Sequence, residues 1–218
     1  MHWSTLYYWN QAWEIKALDN KRGNSPMENI MRTLTVALGE RDLHTRIHSE
    51  RVVQLSAELG RQIDLSAREL ELLALGAQFH DLGKIGIPDR ILSKPTPFDE
   101  AEWECMKQHA AIGERIVLAI GDDKSPEVAR IVRHHHENFD GSGYPDGLAG
   151  TAVPLYSRIV MLTDSYDAMA VTRPYHPARR HQAVMDILVS EVGKKYDPDL
   201  LHAFHIVIEK SDMRARDT

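Results

Sequence analysis

Apolar residues recur every three or four positions along most of the chain, which is the spacing of helices that bury one face. Ser66-Ala-Arg-Glu69 has the capping-box pattern, so it predicts the start of a helix that runs to His80. Earlier helices are predicted from Ser25-Pro26 and after residues 40–42. No stretch alternates as a strand would. The pattern predicts an all-α chain whose later helices begin near Phe98 and Ser125, resume near Tyr156, and span 177–192 and 198–209.

The N-terminal segment differs from the rest of the chain, because residues 1–18 carry the aromatic residues Trp3, Tyr7, Tyr8, Trp9 and Trp13. Polar residues 19–24 follow as a predicted linker. We therefore predict an aromatic helix and linker over 1–24 and one domain over 25–218. The aromatic helix packs on the domain or on a second copy of the chain, which leaves monomer and homodimer open; a coupling helix or a membrane-surface contact is the alternative.

Composition narrows the classes of function. The chain has 218 residues, 43% hydrophobic and 27% charged, enough for one substantial core. A net charge of -6 disfavours a face that binds a nucleic acid polymer. The single cysteine, Cys105, excludes an internal disulfide and a thiolate zinc cage and fits a reducing cytoplasm. Since no apolar run is long enough to span a membrane and no signal peptide is visible, we predict a cytoplasmic protein without a transmembrane segment.

Histidines paired with carboxylates are the candidate chemistry. His80 and Asp81 close an apolar helix and can both reach one divalent ion, while the second carboxylate oxygen could bridge to another. A cap or a surface contact is the alternative for an isolated pair. His44 and His48 project from one helix face, which by itself is also typical of a solvated surface.

Two further stretches add to this picture. His135 and His136 are consecutive, so they converge only where a helix ends, and Asp140-Gly141 downstream predicts such an end. Asp164 interrupts an apolar helix, and a buried carboxylate needs a partner such as a cation. A capping or salt-bridged aspartate is its alternative role.

Taken in order, these motifs closely resemble the HD-GYP family, a branch of the HD metal-dependent phosphohydrolase superfamily. The resemblance covers most of residues 27–208. The matching stretches are Asp42-Leu-His-Thr-Arg-Ile-His48, His80-Asp-Leu-Gly-Lys84, Ile91-Leu-Ser-Lys-Pro95, Met106-Lys-Gln-His109, His135-His-Glu-Asn-Phe-Asp-Gly-Ser-Gly-Tyr-Pro145, Asp164-Ser-Tyr-Asp-Ala168 and Arg173-Pro-Tyr175.

The resemblance implies a single helical bundle of the HD type with a metal site between its helices. One divalent ion would be held by His48, His80, Asp81 and Asp164, and a second by His109, His135 and His136, with Asp81 bridging both. Nitrogen and oxygen ligands suit iron or manganese and leave zinc open. Some family members hold a third ion through a carboxylate where this chain has His44, so His44 is a candidate third-metal ligand, with Glu40 able to support or replace it. His134 falls outside the ligand pattern.

The same resemblance implies a phosphodiesterase that hydrolyses cyclic di-GMP to pGpG, with GMP as a further product. Asp81 and Lys84 would be catalytic. Candidate substrate-binding residues are Lys84, which matches the family's phosphate-facing lysine, Arg173 and Tyr144. Two alternatives stay open: an inactive module that binds cyclic di-GMP or a diguanylate cyclase (GGDEF) partner through Gly143-Tyr144-Pro145, and an HD phosphohydrolase for another cyclic dinucleotide or a mononucleotide.

Overall fold

The structure is a computed structural model that describes residues 43–171 and 178–216, together with 30, 33, 34 and 36–39; at 43–46 it describes the backbone alone. The described residues are helical and contain no β-strand, which confirms the all-α prediction. The helices are α1 Leu43–Gln62, α2 Ala67–Phe79, α3 Asp89–Leu92, α4 Glu100–Leu118, α5 Ser125–His134, α6 Leu155–Ala170, α7 His181–Ser190 and α8 Pro198–Ile208. Short 3-10 helices span Leu82–Gly86 and Gly150–Ala152.

Capping residues set where the site-bearing helices begin. The Ser66 side chain accepts a hydrogen bond from the Glu69 backbone, and the Glu69 carboxylate accepts one from the Ser66 backbone, as the capping-box pattern predicts. Asp99 and Glu102 form the same reciprocal pair at the start of α4. These caps fix the register of the helices that lead to His80 and His109.

Helix α2 lies between two hydrophobic clusters, which explains why most of its residues from Leu72 onward are buried. Leu73 and Ala77 belong to a large cluster shared with α1, α5, α6, α7 and α8. Leu72, Leu75 and Phe79 belong to a second cluster shared with α4 and α5. The C-terminal end of α2 is thereby held between these two clusters, and His80 follows it directly after Phe79.

Three features differ from the sequence-based expectations. Helix α5 ends at His134, before the predicted end at Asp140-Gly141. Helix α7 spans His181–Ser190, shorter than the predicted 177–192, and its last turn stops ahead of Gly193, whose φ is +75°. Ile47 shares α1 with the apolar residues Val52, Leu55 and Leu59, a pattern that predicts burial, yet it is exposed.

Some expectations concern residues outside the described part of the chain. These are the aromatic helix and linker over 1–24, Glu40, Arg173 and the side chain of His44. The division into 1–24 and 25–218 therefore stays a prediction. Among the described residues, no helix is both long and apolar enough to cross a bilayer.

Candidate metal centre

Candidate ligands come from the ends and inner faces of five helices and meet in the middle of the bundle. The members of the first group are buried, and their ligand atoms all lie within 4.8 Å of one another; they are His48, His80 and Asp81. The second group meets the same distance limit and consists of His109, His135 and His136. Asp164 on α6 contacts the first group through His48, with 2.8 Å between its Oδ1 and His48 Nε2.

His80 is fixed through its Nδ1 and turns its Nε2 to the centre. Its Nδ1 lies 2.7 Å from the Ala77 carbonyl oxygen, which can only accept, so Nδ1 carries a proton. Nε2 is buried and has no hydrogen-bond partner among the described residues. Asp81 Oδ2, another acceptor, lies 3.3 Å from it. A buried ring nitrogen that faces a carboxylate and has no hydrogen-bond partner in the described part of the chain is placed as a metal ligand would be.

His109 and His135 show the same arrangement more strongly. Their Nδ1 atoms donate to the carbonyl oxygens of Met106 at 2.7 Å and Val132 at 2.6 Å. Burial lowers the pKa of His109 and holds the pKa of His135 well below its usual range, so both rings are neutral. Their Nε2 atoms are then two lone pairs only 3.3 Å apart. Two lone pairs at this distance repel each other, and a cation bound by both would replace that repulsion with attraction.

His136 completes the second group from just beyond the end of α5. Its ring centroid lies 4.0 Å from that of His135 and 5.0 Å from that of His109. Burial, reinforced by His109, lowers the pKa of His136 to about 3. Because α5 ends at His134, the side chains of His135 and His136 are not held at the angle of about 100° that separates consecutive residues in a helix.

Asp81 lies between the two groups. Its Oδ2 is 3.3 Å from His80 Nε2, and its Oδ1 is 3.8 Å from His109 Nε2. Burial alone would raise the pKa of Asp81, but the positive charge of the Lys84 ammonium, 2.6 Å from Oδ2, holds that pKa well below its usual range. The carboxylate is therefore charged, with one oxygen toward each histidine group, as a bridging ligand requires.

Gly83 allows this meeting of elements. A Cβ atom at Gly83 would lie 1.8 Å from the carbonyl oxygen of His109 and 2.5 Å from the backbone nitrogen of Gly113. Only a residue without a side chain lets the 3-10 helix Leu82–Gly86 press directly on α4. This contact brings Asp81 next to His109.

An aspartate and an arginine that the sequence reasoning missed hold His48. Asp167 Oδ2 lies 2.5 Å from His48 Nδ1, and Arg51 binds the same carboxylate through Nε at 2.6 Å and a terminal nitrogen at 2.8 Å. Burial would lower the pKa of His48, but hydrogen bonds to Asp164 and Asp167 raise it to about 9. The i, i+3 spacings of His48 with Arg51 and of Asp164 with Asp167 are the signal that could have revealed this network.

A third group has metal-binding residue types but is already satisfied by protein donors. It consists of His134, Glu137 and Asp146, with ligand atoms within 4.8 Å of one another. Arg133 binds both Asp146 oxygens at 2.7 Å, and His134 Nε2 lies 2.9 Å from Asp146 Oδ2. This group is an ion-paired clamp on the glycine-rich loop.

Glu137 holds the same loop through the loop's backbone. This residue was not identified from the sequence. It is buried, and its two oxygens accept from the backbone nitrogens of Asp146 at 2.7 Å and Leu148 at 3.1 Å. Tyr144, whose peptide bond to Pro145 is cis, donates its backbone N–H to the His136 carbonyl at 3.1 Å. The loop is thus tied to the residue that supplies a candidate ligand.

Tyr144 itself extends over the centre. Its ring centroid lies 4.9 Å from that of His136 and 6.4 Å from that of His109. Burial and the charges of Asp81 and Asp164 raise the pKa of Tyr144, so its hydroxyl stays protonated. A neutral phenol here can donate a hydrogen bond to an anionic ligand.

Comparison with known proteins gives a consistent result. A family model described as an HD domain matches residues 32–200. The chain is 38% identical over 175 residues to a cyclic di-GMP phosphodiesterase of Thermotoga maritima, covering 80% of this chain and 48% of the relative. It is 36% identical over 160 residues to 3'3'-cGAMP-specific phosphodiesterase 3 of Vibrio cholerae, covering 73% of this chain and 34% of the relative. The chain thus spans about half of the first relative's length and about a third of the second's.

A solved structure agrees on the fold. The HDG"Y"P protein of Bdellovibrio bacteriovorus superimposes with a TM-score of 0.62 at 20% sequence identity, covering 77% of this chain and 53% of that one. At this identity the likeness concerns the arrangement of helices.

Proposed function

Because the chain belongs to the HD domain family and is homologous to the HD-GYP cyclic di-GMP phosphodiesterases, we propose that it hydrolyses cyclic di-GMP to pGpG, with GMP as a further product. The observation that supports this most is the charged Asp81 between two groups of histidines, most of them buried. With two ions bound, such a site would hold the diester phosphate of a cyclic dinucleotide.

We assign the candidate ligands to two divalent ions in the following way. His48, His80 and Asp164 would hold one ion, His109, His135 and His136 would hold the other, and Asp81 would bridge them. All donors are imidazole nitrogens or carboxylate oxygens, so iron or manganese is proposed, with zinc as the alternative. When bound, the two ions would activate water and offset negative charge on the phosphoryl oxygens.

The remaining chemistry belongs to side chains of this protein. The Lys84 ammonium lies 2.6 Å from Asp81 Oδ2 with its side chain 22% exposed, so it can turn from the carboxylate to a phosphoryl oxygen at the same site. Its charge would offset the charge that builds up there in the transition state. The protonated Tyr144 hydroxyl is a second donor toward the substrate, and Arg173 is retained as a proposed phosphate contact. His44 stays a proposed ligand for a third ion.

The test is hydrolysis of cyclic di-GMP with chromatography of the products, on protein purified without chelator and with its metal content measured on the same sample. We expect pGpG or GMP and about two ions per chain. The variants His80→Ala and Asp81→Ala should stay helical by circular dichroism and lose turnover by about a thousandfold or more. A fully active Asp81→Ala enzyme would refute the two-ion assignment.

A second substrate deserves the same assay, because the Vibrio cholerae relative is specific for 3'3'-cGAMP. Comparing kcat/KM for cyclic di-GMP and 3'3'-cGAMP decides between them. Two bound ions without turnover of either substrate would favour a binding module, which would engage the dinucleotide or a GGDEF-domain protein through Gly143-Tyr144-Pro145.

A further inference from the structure

A row of aromatic rings leads outward from the candidate metal centre. The Tyr144 ring, 4.9 Å from that of His136, contacts the ring of Trp103 on α4 edge-on, with 6.1 Å between centroids. Trp103 stacks in turn on Phe98, at 6.4 Å and an interplanar angle of 22°. The row therefore runs without interruption from a candidate metal ligand to the surface.

Trp103, which lies between Tyr144 and Phe98 in this row, is unusually exposed for a tryptophan. Its side chain is 45% exposed, although tryptophan is normally buried over most of its surface. Phe98 and Tyr144 fix the ring on two sides, so it is held in place and does not lie loosely on the surface. A rigid, partly uncovered indole beside a phosphate-binding centre offers a flat surface to a planar ligand.

The surroundings of Trp103 favour a nucleobase over an apolar partner. Lys107, one turn further along α4, places its ammonium 5.8 Å from the Tyr144 ring centroid and is paired with Glu104. A charged pair thus lies beside Tyr144, the ring that contacts Trp103. A purine has an apolar face for the indole and polar edges for such a pair, and a base stacked on an aromatic side chain is a common mode of nucleotide binding.

We propose that Trp103 is the stacking platform for one purine base of the substrate, with Tyr144 as the ring that joins this platform to the metal centre. This inference rests on the proposed function, because a phosphodiester at the metal centre carries its bases one ribose away. The phosphate would be bound at the centre and the base at Trp103. The platform would therefore contribute to affinity and to the choice of purine ligands, while the chemical step depends on the centre.

The experiment compares Trp103→Ala, the conservative Trp103→Phe and the matched control Leu118→Ala. Leu118 lies on the same helix and is 46% exposed, but it is an isolated apolar residue at the far end. Binding is measured by equilibrium dialysis with GMP and with ribose 5-phosphate, which lacks the base. Steady-state kinetics with cyclic di-GMP give kcat and KM separately, and quenching of indole fluorescence by GMP reports stacking directly.

We expect Trp103→Ala to weaken GMP binding about tenfold and to raise KM for cyclic di-GMP by a similar factor, with kcat nearly unchanged. Trp103→Phe should keep most of the affinity, Leu118→Ala should match the wild type, and ribose 5-phosphate should bind all forms alike. GMP should quench the wild-type fluorescence, and that quenching should be lost in Trp103→Phe.

Two outcomes would overturn the platform: Trp103→Ala that binds GMP like Leu118→Ala, or wild-type protein whose fluorescence GMP does not quench. Neither depends on hydrolysis. A wild type that binds GMP through Trp103 but hydrolyses no cyclic dinucleotide would support the platform and refute the proposed function. A wild type that hydrolyses cyclic di-GMP with KM unaffected in Trp103→Ala would do the reverse.

Discussion

Replacing Asp167 with asparagine tests whether the carboxylate behind His48 positions that histidine for an ion. Asp167 accepts from His48 Nδ1 at 2.5 Å and from two nitrogens of Arg51. An asparagine has one acceptor oxygen and one amide nitrogen in these places. Whichever way the amide is turned, at least one donor of His48 or Arg51 faces an N–H₂ group.

The size of the effect follows from these contacts. At least one charge-assisted hydrogen bond is lost, which is worth about 1.5–3 kcal/mol, and the lower end applies because the Arg51 side chain is 26% exposed. Removing the partner of a ligating histidine weakens metal affinity by about 10-fold to 100-fold. That range corresponds to about 1.4–2.8 kcal/mol. Asp167→Asn should therefore stay folded but release an ion much more readily.

The assay is metal content per chain after dialysis against increasing chelator concentrations, with thermal unfolding of the metal-free form in parallel. Asp197→Asn is the matched control. Asp197 is likewise a buried aspartate paired with an arginine, Arg158, but its other contacts are with the first turn of α8. It should lower the melting temperature and leave the chelator dependence of the remaining folded protein unchanged.

The two variants thus separate a positioning role from a general loss of stability. If Asp167→Asn retains both ions at the chelator concentration that the wild type tolerates, Asp167 does not act through His48. The same conclusion follows if Asp197→Asn loses metal as readily, because any buried aspartate would then have the same effect.

The remaining predictions concern the two backbone contacts that shape the centre. Gly83→Ala would place a Cβ 1.8 Å from the His109 carbonyl, so we expect a loss of roughly 1–3 kcal/mol or more in urea unfolding. Gly86→Ala should cost less, since its Cβ would meet only a side chain, and equal midpoints for the two would contradict the close approach. Glu137→Gln should turn an amide N–H₂ toward one of the two backbone donors and raise hydrogen exchange at Asp146 or Leu148 by about tenfold; unchanged exchange at both would show that the clamp does not depend on that carboxylate.

Local signals were sufficient for the helices. The reciprocal bonds of Ser66 and Glu69 are encoded within four residues, so the start of α2 could be read without tertiary information. The end of α5 could not. Asp140-Gly141 is a strong local stop, but the chain leaves the helix at His134, where burial of His135 and the hydrogen bond from Tyr144 to the His136 carbonyl come from distant segments.

The sequence predicts which residues are candidate ligands, but its periodicity does not predict which of them lie close together in space. His48 and Asp167 are 119 residues apart, and their hydrogen bond depends on α1 packing against α6. Arg51 reaches Asp167 through the same packing of helices. Glu137 stands beside two candidate ligands in sequence, yet its carboxylate binds backbone nitrogens of the following loop, a role that only the folded loop defines.

Residue type alone does not distinguish the candidate metal centre from the clamp beside it. His134 and Asp146 would pass any count of metal-binding residues, but Arg133 already places donors on both Asp146 oxygens. In the centre, by contrast, the Nδ1 protons of His109 and His135 are used on carbonyl oxygens and the Nε2 lone pairs face each other at 3.3 Å. Two acceptors that face each other without a donor, as the Nε2 atoms of His109 and His135 do, need a positive charge between them, and this is the physical argument for assigning an ion there.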